Sequence, residues 1–433
     1  MARDPSPRRW SQPAAILGAV TLTLPGLALR ITGASPVSWL AAILFGLAVV
    51  GAAFLLAWGA EVLQLDVSQG LAIALLALIA VLPEYAVDFI FTWKAGKNPQ
   101  EYAPLALANM TGGNRLLIGI GWALVVLLAA GRMRSIAAKQ HYEGSLDDEI
   151  RLDRSHSVEI AFLFLATAYS LTLPLKHTLA LFDSAVLVTM FVLYLWRVAR
   201  APAEEPELVG PAELIGRLPT RPRRVVVALL FGFAALVILA CAGGFAESLV
   251  RTGSEFGINK FLLVQWVAPL ASEAPELLVA GLFAWRLNTN AALGALVSSK
   301  VNQWTLLVGT LPIVYAFSSG ALHGLPLDTL QREELFLTAA QSAFAVAVLA
   351  NRSISVREAL GLLGLFLAQF VLGGVLPGGL RELERIAVGV TYLVLAAFIL
   401  YRQRAALPGL LRDGLRTPVD ELALGDQPAA DPA

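Results

Sequence analysis

The sequence predicts an all-α, polytopic membrane protein made of two inverted five-helix repeats, with about one extra helix at each end. Three observations predict it. Of the 433 residues, 57% are hydrophobic and 15% charged. The mean hydropathy of +0.69 is more apolar than a water-soluble chain of this length tolerates. Apolar runs of the roughly 20 residues that cross a bilayer core recur about twelve times. Two of those runs carry a Pro-Glu dipeptide in matching surroundings.

The runs are 14–32, 38–62, 69–93, 104–130, 157–175, 178–199, 223–250, 259–285, 289–318, 335–351, 356–376 and 385–401. Arg3, Arg8 and Arg9 precede the first, as they would a signal sequence. No small-residue cleavage site follows Leu29, and Trp10 and Trp39 stand where interfacial anchors belong, so this run is read as a retained helix. Counting sides from a cytoplasmic N-terminus puts roughly two thirds of the 32 Lys and Arg inside, as the positive-inside rule requires. Both termini are then expected in the cytoplasm, with the protein in the plasma (inner) membrane. The expected organisation is an extra helix in 1–37, repeats over 38–199 and 223–376, a Pro- and Glu-rich linker over 200–222, and an extra helix followed by a disordered tail in 377–433.

The repeat carries the functional reading. Gly59-Ala60-Glu61 ends one run, and the next contains Leu82-Pro83-Glu84-Tyr85. Phe245-Ala246-Glu247 likewise precedes Ala274-Pro275-Glu276-Leu277. Each Pro-Glu run leads into one rich in small and polar residues, Asn109 to Asn114 in the first half and Gly294 to Ser299 in the second. Units of five helices, an odd number, must insert in opposite senses. A mid-helix proline removes one N–H and releases a carbonyl a turn earlier. A carboxylate beside it costs about 3 kcal/mol in lipid and so faces the protein interior. Two such elements would bring Glu84 and Glu276 together near the midplane, and carboxylates with carbonyls and hydroxyls suit hard cations. Two carboxylates at matched positions are harder to dismiss as core hydrogen-bonders than one would be.

These elements resemble the sodium/calcium exchanger family of the cation/calcium antiporter superfamily. Its repeats each carry G-T-S-x-P-E followed by G-N-x-x-G-S, and its helix end G-A-D-x-L-V is similar to Gly59–Leu63 and Phe245–Val250. The resemblance covers roughly 38–376 and implies a ten-helix core, ion ligands at the centre and alternating access by sliding of two peripheral helices. It implies that Glu84 and Glu276 are the essential glutamates, with Ser272, Ser299 and Gln303 among the ligands. Asn114 and Asn109 both stand as candidates for the first partner helix's amide. This chain departs from the pattern at several positions. Ala80 and Val81 occupy the first repeat's hydroxyl positions, and Glu273 replaces a serine. Asp88 shares a helical face with Glu84, and Lys300 and Arg115 place cations inside apolar runs. A fixed cation can substitute for a bound one, so the resemblance points to an antiporter whose selectivity or coupling is altered, with Ca²⁺, Na⁺ or H⁺ as transported ions and proton coupling as one form. Glu273–Lys300 and Asp88–Arg115 can equally be structural ion pairs.

Other classes are weaker. A non-transporting sensor or scaffold on the same fold is the alternative. No H-E-x-x-H, phosphate loop or nucleophile–base pair points to an enzyme, and no motif calls for a cofactor. His141, His156, His177 and His323 are widely spaced, unlike a zinc site. The formal net charge of +0 gives nucleic acid no footing, so the expected partners are the lipid bilayer and inorganic cations. No signal for an oligomeric state is present.

Overall fold

The computed structural model describes residues 11–66, 82–139, 149–200 and 208–424. Among the described residues, ten helical segments are long and apolar enough to cross a membrane. The run expected at 69–93 is described from Leu82 onward, and Ala80 and Val81 lie outside the described residues. The run at 289–318 is helical but is not among the ten, because Ser298, Ser299, Lys300, Asn302 and Gln303 interrupt its apolar character. The chain divides into two compact units, residues 1–91 with 203–276, and 92–202 with 277–433.

The first unit contains helices α1 (Ser11–Thr32) and α2 (Ser38–Leu63), the start of α3 (Leu82–Lys97), α8 (Pro211–Gly216), α9 (Thr220–Phe256) and most of α10 (Lys260–Trp285). Small residues let its helices approach at backbone distance, the usual basis of helix association in lipid. A Cβ on Gly51 would stand 2.5 Å from the Ala19 carbonyl oxygen, and one on Gly26 would stand 2.6 Å from Ala48 Cβ, so α1 lies directly on α2. The α2–α9 contact is reciprocal. A Cβ on Gly46 would meet the Phe245 ring at 3.0 Å, and one on Gly244 would meet the Phe45 ring at 2.7 Å. Phe45-Gly46 and Gly244-Phe245 thus interlock, each ring filling the other helix's vacant Cβ position. Leu55, Leu56, Val237 and Cys241 lie in the core of this unit. Past the end of α2, Asp66 accepts two hydrogen bonds from Arg223 (2.7 and 2.9 Å) and one from Arg224 (3.0 Å). The Arg223 bonds, ahead of the Arg224 contribution, hold the Asp66 carboxyl below its ordinary range.

The second unit begins at the end of α3 and continues through α4 (Pro99–Leu116), a π-helical turn (Leu117–Trp122), α5 (Ala123–Lys139), α6 (Ser157–Ser170) and α7 (Leu181–Val198). After the end of α10 come α11 (Thr289–Asn302), a second π-helical turn (Gln303–Leu307), α12 (Val308–Ser319), α13 (Thr329–Val348), α14 (Val356–Val375) and α15 (Gly378–Arg402). Two antiparallel ribbons tie the repeats together outside the helices. Strand β1 (Glu149–Arg151) pairs with β4 (Ser353–Ser355), and β2 (Thr178–Leu179) pairs with β3 (Leu325–Pro326). Helix α13 starts six residues earlier than its apolar run suggested. Asp328 accepts from the Gln331 N–H at 2.8 Å, and Gln331 Oε1 accepts from the Asp328 N–H at 2.9 Å, a reciprocal cap. That early start brings Glu333 and Glu334 into the helix, both buried.

The tail expected to be disordered from about Leu407 is helical as far as Leu424. It forms α16 (Leu407–Leu415) and α17 (Val419–Leu424). Residues 425–433 lie outside the described residues. Asp413 anchors the segment with a bidentate bond from Arg154 at 2.8 Å, and Arg352 stands 3.6 Å away. Arg197 donates to the carbonyls of Asp413 (2.9 Å), Gly414 and Thr417, capping the last turn of α16 where cations are favoured. Gly414 meets the Ser157 carbonyl so closely that a Cβ would stand 2.3 Å from it. The linker is also partly ordered, since α8 buries Ala212 and Ile215.

Candidate functional site

The first unit holds both Pro-Glu elements. Glu84 and Asp88 sit one turn apart on α3, 2% and 1% exposed. On α10, Ser272 and Glu273 are buried and Glu276 is half-buried. Pro269 and Pro275 both lie inside α10, and each lacks the N–H that would bond four residues back, which releases the Gln265 and Ala271 carbonyls from the ladder. The Ser272 hydroxyl bonds back to the Ala268 and Pro269 carbonyls at 3.3 and 3.2 Å, so it is oriented by its own helix.

The second unit holds the small- and polar-residue helices. Asn109, Asn114 and Arg115 on α4 are buried, as are Lys300 on α11 and Gln303 at the head of the second π-turn; Ser299 is half-buried. The structure brings Lys300 to Asn114. Its ammonium donates to the Asn114 carbonyl at 2.7 Å and to the side-chain Oδ1 at 2.5 Å, while Asn114 Nδ2 donates to the Met110 carbonyl at 2.9 Å. The same ammonium lies 5.4 Å from the Trp304 ring centroid. Lys300 of one repeat is thereby held on the amide of the other. Arg115 is ion-paired with Glu334 of α13 at 2.7 Å, the two side chains 1% and 5% exposed. Its carbonyl accepts from Gln341 Nε2 at 3.3 Å, and Trp304 Nε1 donates to Ser342 at 2.7 Å, so α13 contacts both polar helices.

Within the second unit the two buried cations make contacts that the sequence does not suggest, Lys300 with Asn114 and Arg115 with Glu334. Both polar helices also switch to π geometry just after their buried cation, at 117–122 and 303–307. Such one-turn bulges cluster at functional sites because they re-aim side chains and loosen the carbonyl ladder. Glu334, Gln341 and Ser342 were missed. Glu333 and Glu334 fall just before the apolar run taken as the helix, and the Asp328–Gln331 capping pair was the signal that would have moved its start.

The sodium/calcium exchanger protein family matches residues 37–199 and 226–373. No curated protein matches. Among solved structures, the crystal structure of an H⁺/Ca²⁺ exchanger, CAX, is similar at 42% identity and TM-score 0.85, covering 96% of this chain and 99% of that one. A Ca²⁺/H⁺ antiporter protein, YfkE, is similar at 14% identity and TM-score 0.57 (87% and 99% covered). A sodium-calcium exchanger, NCX_Mj, is similar at 16% identity and TM-score 0.50 (82% and 98%). The last two are alike in fold.

Proposed function

This chain belongs to the sodium/calcium exchanger protein family, and from that premise we propose that it is a multi-pass antiporter exchanging Ca²⁺ for protons across the membrane. The observation that carries the choice of ions is the likeness, along nearly the whole chain, to a protein that exchanges H⁺ and Ca²⁺. The departures at the site agree with it. Hydroxyl ligands are absent at Ala80 and Val81, and a buried cation adjoins a motif position in each repeat, Arg115 beside Asn114 and Lys300 beside Ser299, which disfavours a site loaded with several sodium ions.

Glu84 and Glu276 supply the charge that attracts the divalent ion. Among the described residues no three His, Cys, Asp or Glu side chains gather as a metal-holding group. Beside Glu84 and Glu276 in the same unit, the carbonyls released by Pro269 and Pro275 and the Ser272 hydroxyl are the neutral oxygens at hand. A six- to eight-oxygen shell of this kind suits Ca²⁺. When the ion leaves, each carboxylate must meet a compensating charge, since an uncompensated buried carboxylate is costly. Protons fill that role for Glu84 and Glu276, while Asp88 and Glu273 modulate the charge of the same helix faces. Alternating access is assigned to the interlocked α2–α9 pair, whose ring-into-glycine contacts let it move as one piece. The N- and C-termini face the cytoplasm.

The test is Ca²⁺ uptake into vesicles containing the purified protein, with a pH gradient and a Na⁺ gradient applied separately. The pH gradient is expected to drive uptake and the Na⁺ gradient not to. Uptake driven by Na⁺ alone would overturn the ion assignment. Calcium binding by calorimetry with no uptake under either gradient would establish the sensor alternative.

A further inference from the structure

Helix α15 lies beyond the residues that match the exchanger family, and it carries a buried carboxyl with no part in the site above. Glu384 is 6% exposed, and neither of its oxygens makes a hydrogen bond. Two turns further along α15, Tyr392 is 1% exposed and its hydroxyl makes none either. Helix α14 contributes Gln369 and Gly373 to this place. A Cβ on Gly373 would stand 3.4 Å from Gln369 Nε2 and 3.9 Å from Glu384 Oε2, so the missing side chain leaves room beside both groups.

The charged groups facing Glu384 are Glu334 from α13, Arg115 from α4 and its own neighbour Arg385. The two guanidiniums already have carboxylate partners. Arg115 pairs with Glu334 at 2.7 Å, and Arg385 donates twice to Glu333, at 2.8 and 2.5 Å. Three carboxyls thus share two guanidiniums. If all three were ionised, Glu384 would be a buried anion with neither hydrogen bond nor ion pair, inside helices long enough to span a bilayer. A proton on Glu384 removes that charge and needs no coordination shell, which a metal ion would.

We propose that Glu384 is a proton-binding site, separate from the two Pro-Glu carboxylates, whose occupancy sets how Arg115 is shared. With the proton bound, Glu384 is a neutral carboxyl and the Arg115–Glu334 pair is closed. With the proton released to water, the Glu384 carboxylate competes with Glu334 for the Arg115 guanidinium, whose five N–H donors can serve both. Arg115 follows Asn114, the residue that holds Lys300, so a shift of the guanidinium is felt where the two repeats' polar helices meet. The added C-terminal helix then reports pH to the transport core.

Two measurements on the full-length protein in lipid test this. The first uses wild type only. Dicyclohexylcarbodiimide, which attacks protonated carboxyls in apolar surroundings, is reacted over a series of pH values and its adducts are mapped by mass spectrometry. An adduct on Glu384 whose yield falls as pH rises is expected; no adduct there, or a yield independent of pH, overturns the proposal. The second is infrared difference spectroscopy on a pH step. The proposal expects a protonated-carboxyl band that Glu384→Gln loses, that Glu384→Asp retains at a shifted position, and that Glu84→Gln and Glu276→Gln both retain. Identical spectra for wild type and Glu384→Gln overturn it. Failure of pH-driven Ca²⁺ uptake in wild type would defeat the antiport reading while leaving this band to decide Glu384.

Discussion

Replacing Glu334 by Gln isolates the buried ion pair on which the second unit's polar helices rest. Arg115 and Glu334 are 1% and 5% exposed and 2.7 Å apart, so neither charge has water to fall back on. Removing one partner of such a pair costs about 3–5 kcal/mol, because the other charge is left buried. Gln keeps an oxygen that can accept from the guanidinium, and Glu384 can ionise beside it, so Glu334→Gln should fall at the lower end and Glu334→Gln with Glu384→Gln at the upper. For a chain of 433 residues this is a drop in apparent melting temperature of roughly 3–5 °C. Replacing both charges by apolar side chains of similar volume, Arg115→Met with Glu334→Met, removes the two desolvation costs together and should melt within about 2 kcal/mol of wild type. The assay is monodispersity after heating of the detergent-solubilised protein, followed by intrinsic tryptophan fluorescence on a sizing column. The reasoning is refuted if Glu334→Gln melts with wild type, or if the double Met variant melts no higher than the single one.

Three further outcomes follow from the same geometry. Asp413 holds the C-terminal helices, and the Arg154 hydrogen bonds, the largest cause, keep its carboxyl below the ordinary value of 3.8. A carboxyl depressed in the folded state adds stability that is complete above the unfolded value and lost as pH falls through the folded one. Docking of 407–424 should therefore loosen below about pH 4. At neutral pH, Asp413→Ala should remove about 1.5–3 kcal/mol, seen as roughly ten- to hundredfold faster amide exchange confined to that segment. Unchanged exchange would show that Asp413 does not anchor it. Gly51→Val drives a side chain into the Ala19 carbonyl and should cost about 1–3 kcal/mol. The one cysteine, Cys241, is buried in the same unit, so a fluorogenic maleimide should label the variant at lower temperature than wild type, and coincident labelling curves would refute the close α1–α2 contact. Lys300→Asn removes the ammonium from Asn114 and should alter the pH or Na⁺ dependence of uptake; an unaltered ion dependence would make Lys300 structural.

Much of this molecule is legible in its sequence because hydropathy and proline are local signals. Long apolar runs give helices, and Pro83-Glu84 with Pro275-Glu276 reveals the repeat without any knowledge of packing. Partner choice is not local. Lys300 bonds to Asn114, 186 residues away, and Arg115 pairs with Glu334 on a helix whose apolar run begins only after that glutamate. The π-turns at 117–122 and 303–307 have no sequence signature, being set by how α4 and α11 pack. The tail failed for a different reason. Arg412, Asp413 and Arg416 make it look solvated, yet Asp413 is buried by arginines from three other segments, Arg154, Arg197 and Arg352, which composition cannot foresee.

The central claim is that Glu84 and Glu276 together carry the transported cation. Its most direct measurement is pH-gradient-driven Ca²⁺ uptake by vesicles holding equal amounts of folded wild type, Glu84→Gln and Glu276→Gln. Uptake by wild type and none by either variant is the predicted result. Uptake at the wild-type rate by either variant would contradict the assignment of the paired Pro-Glu carboxylates as the ion site.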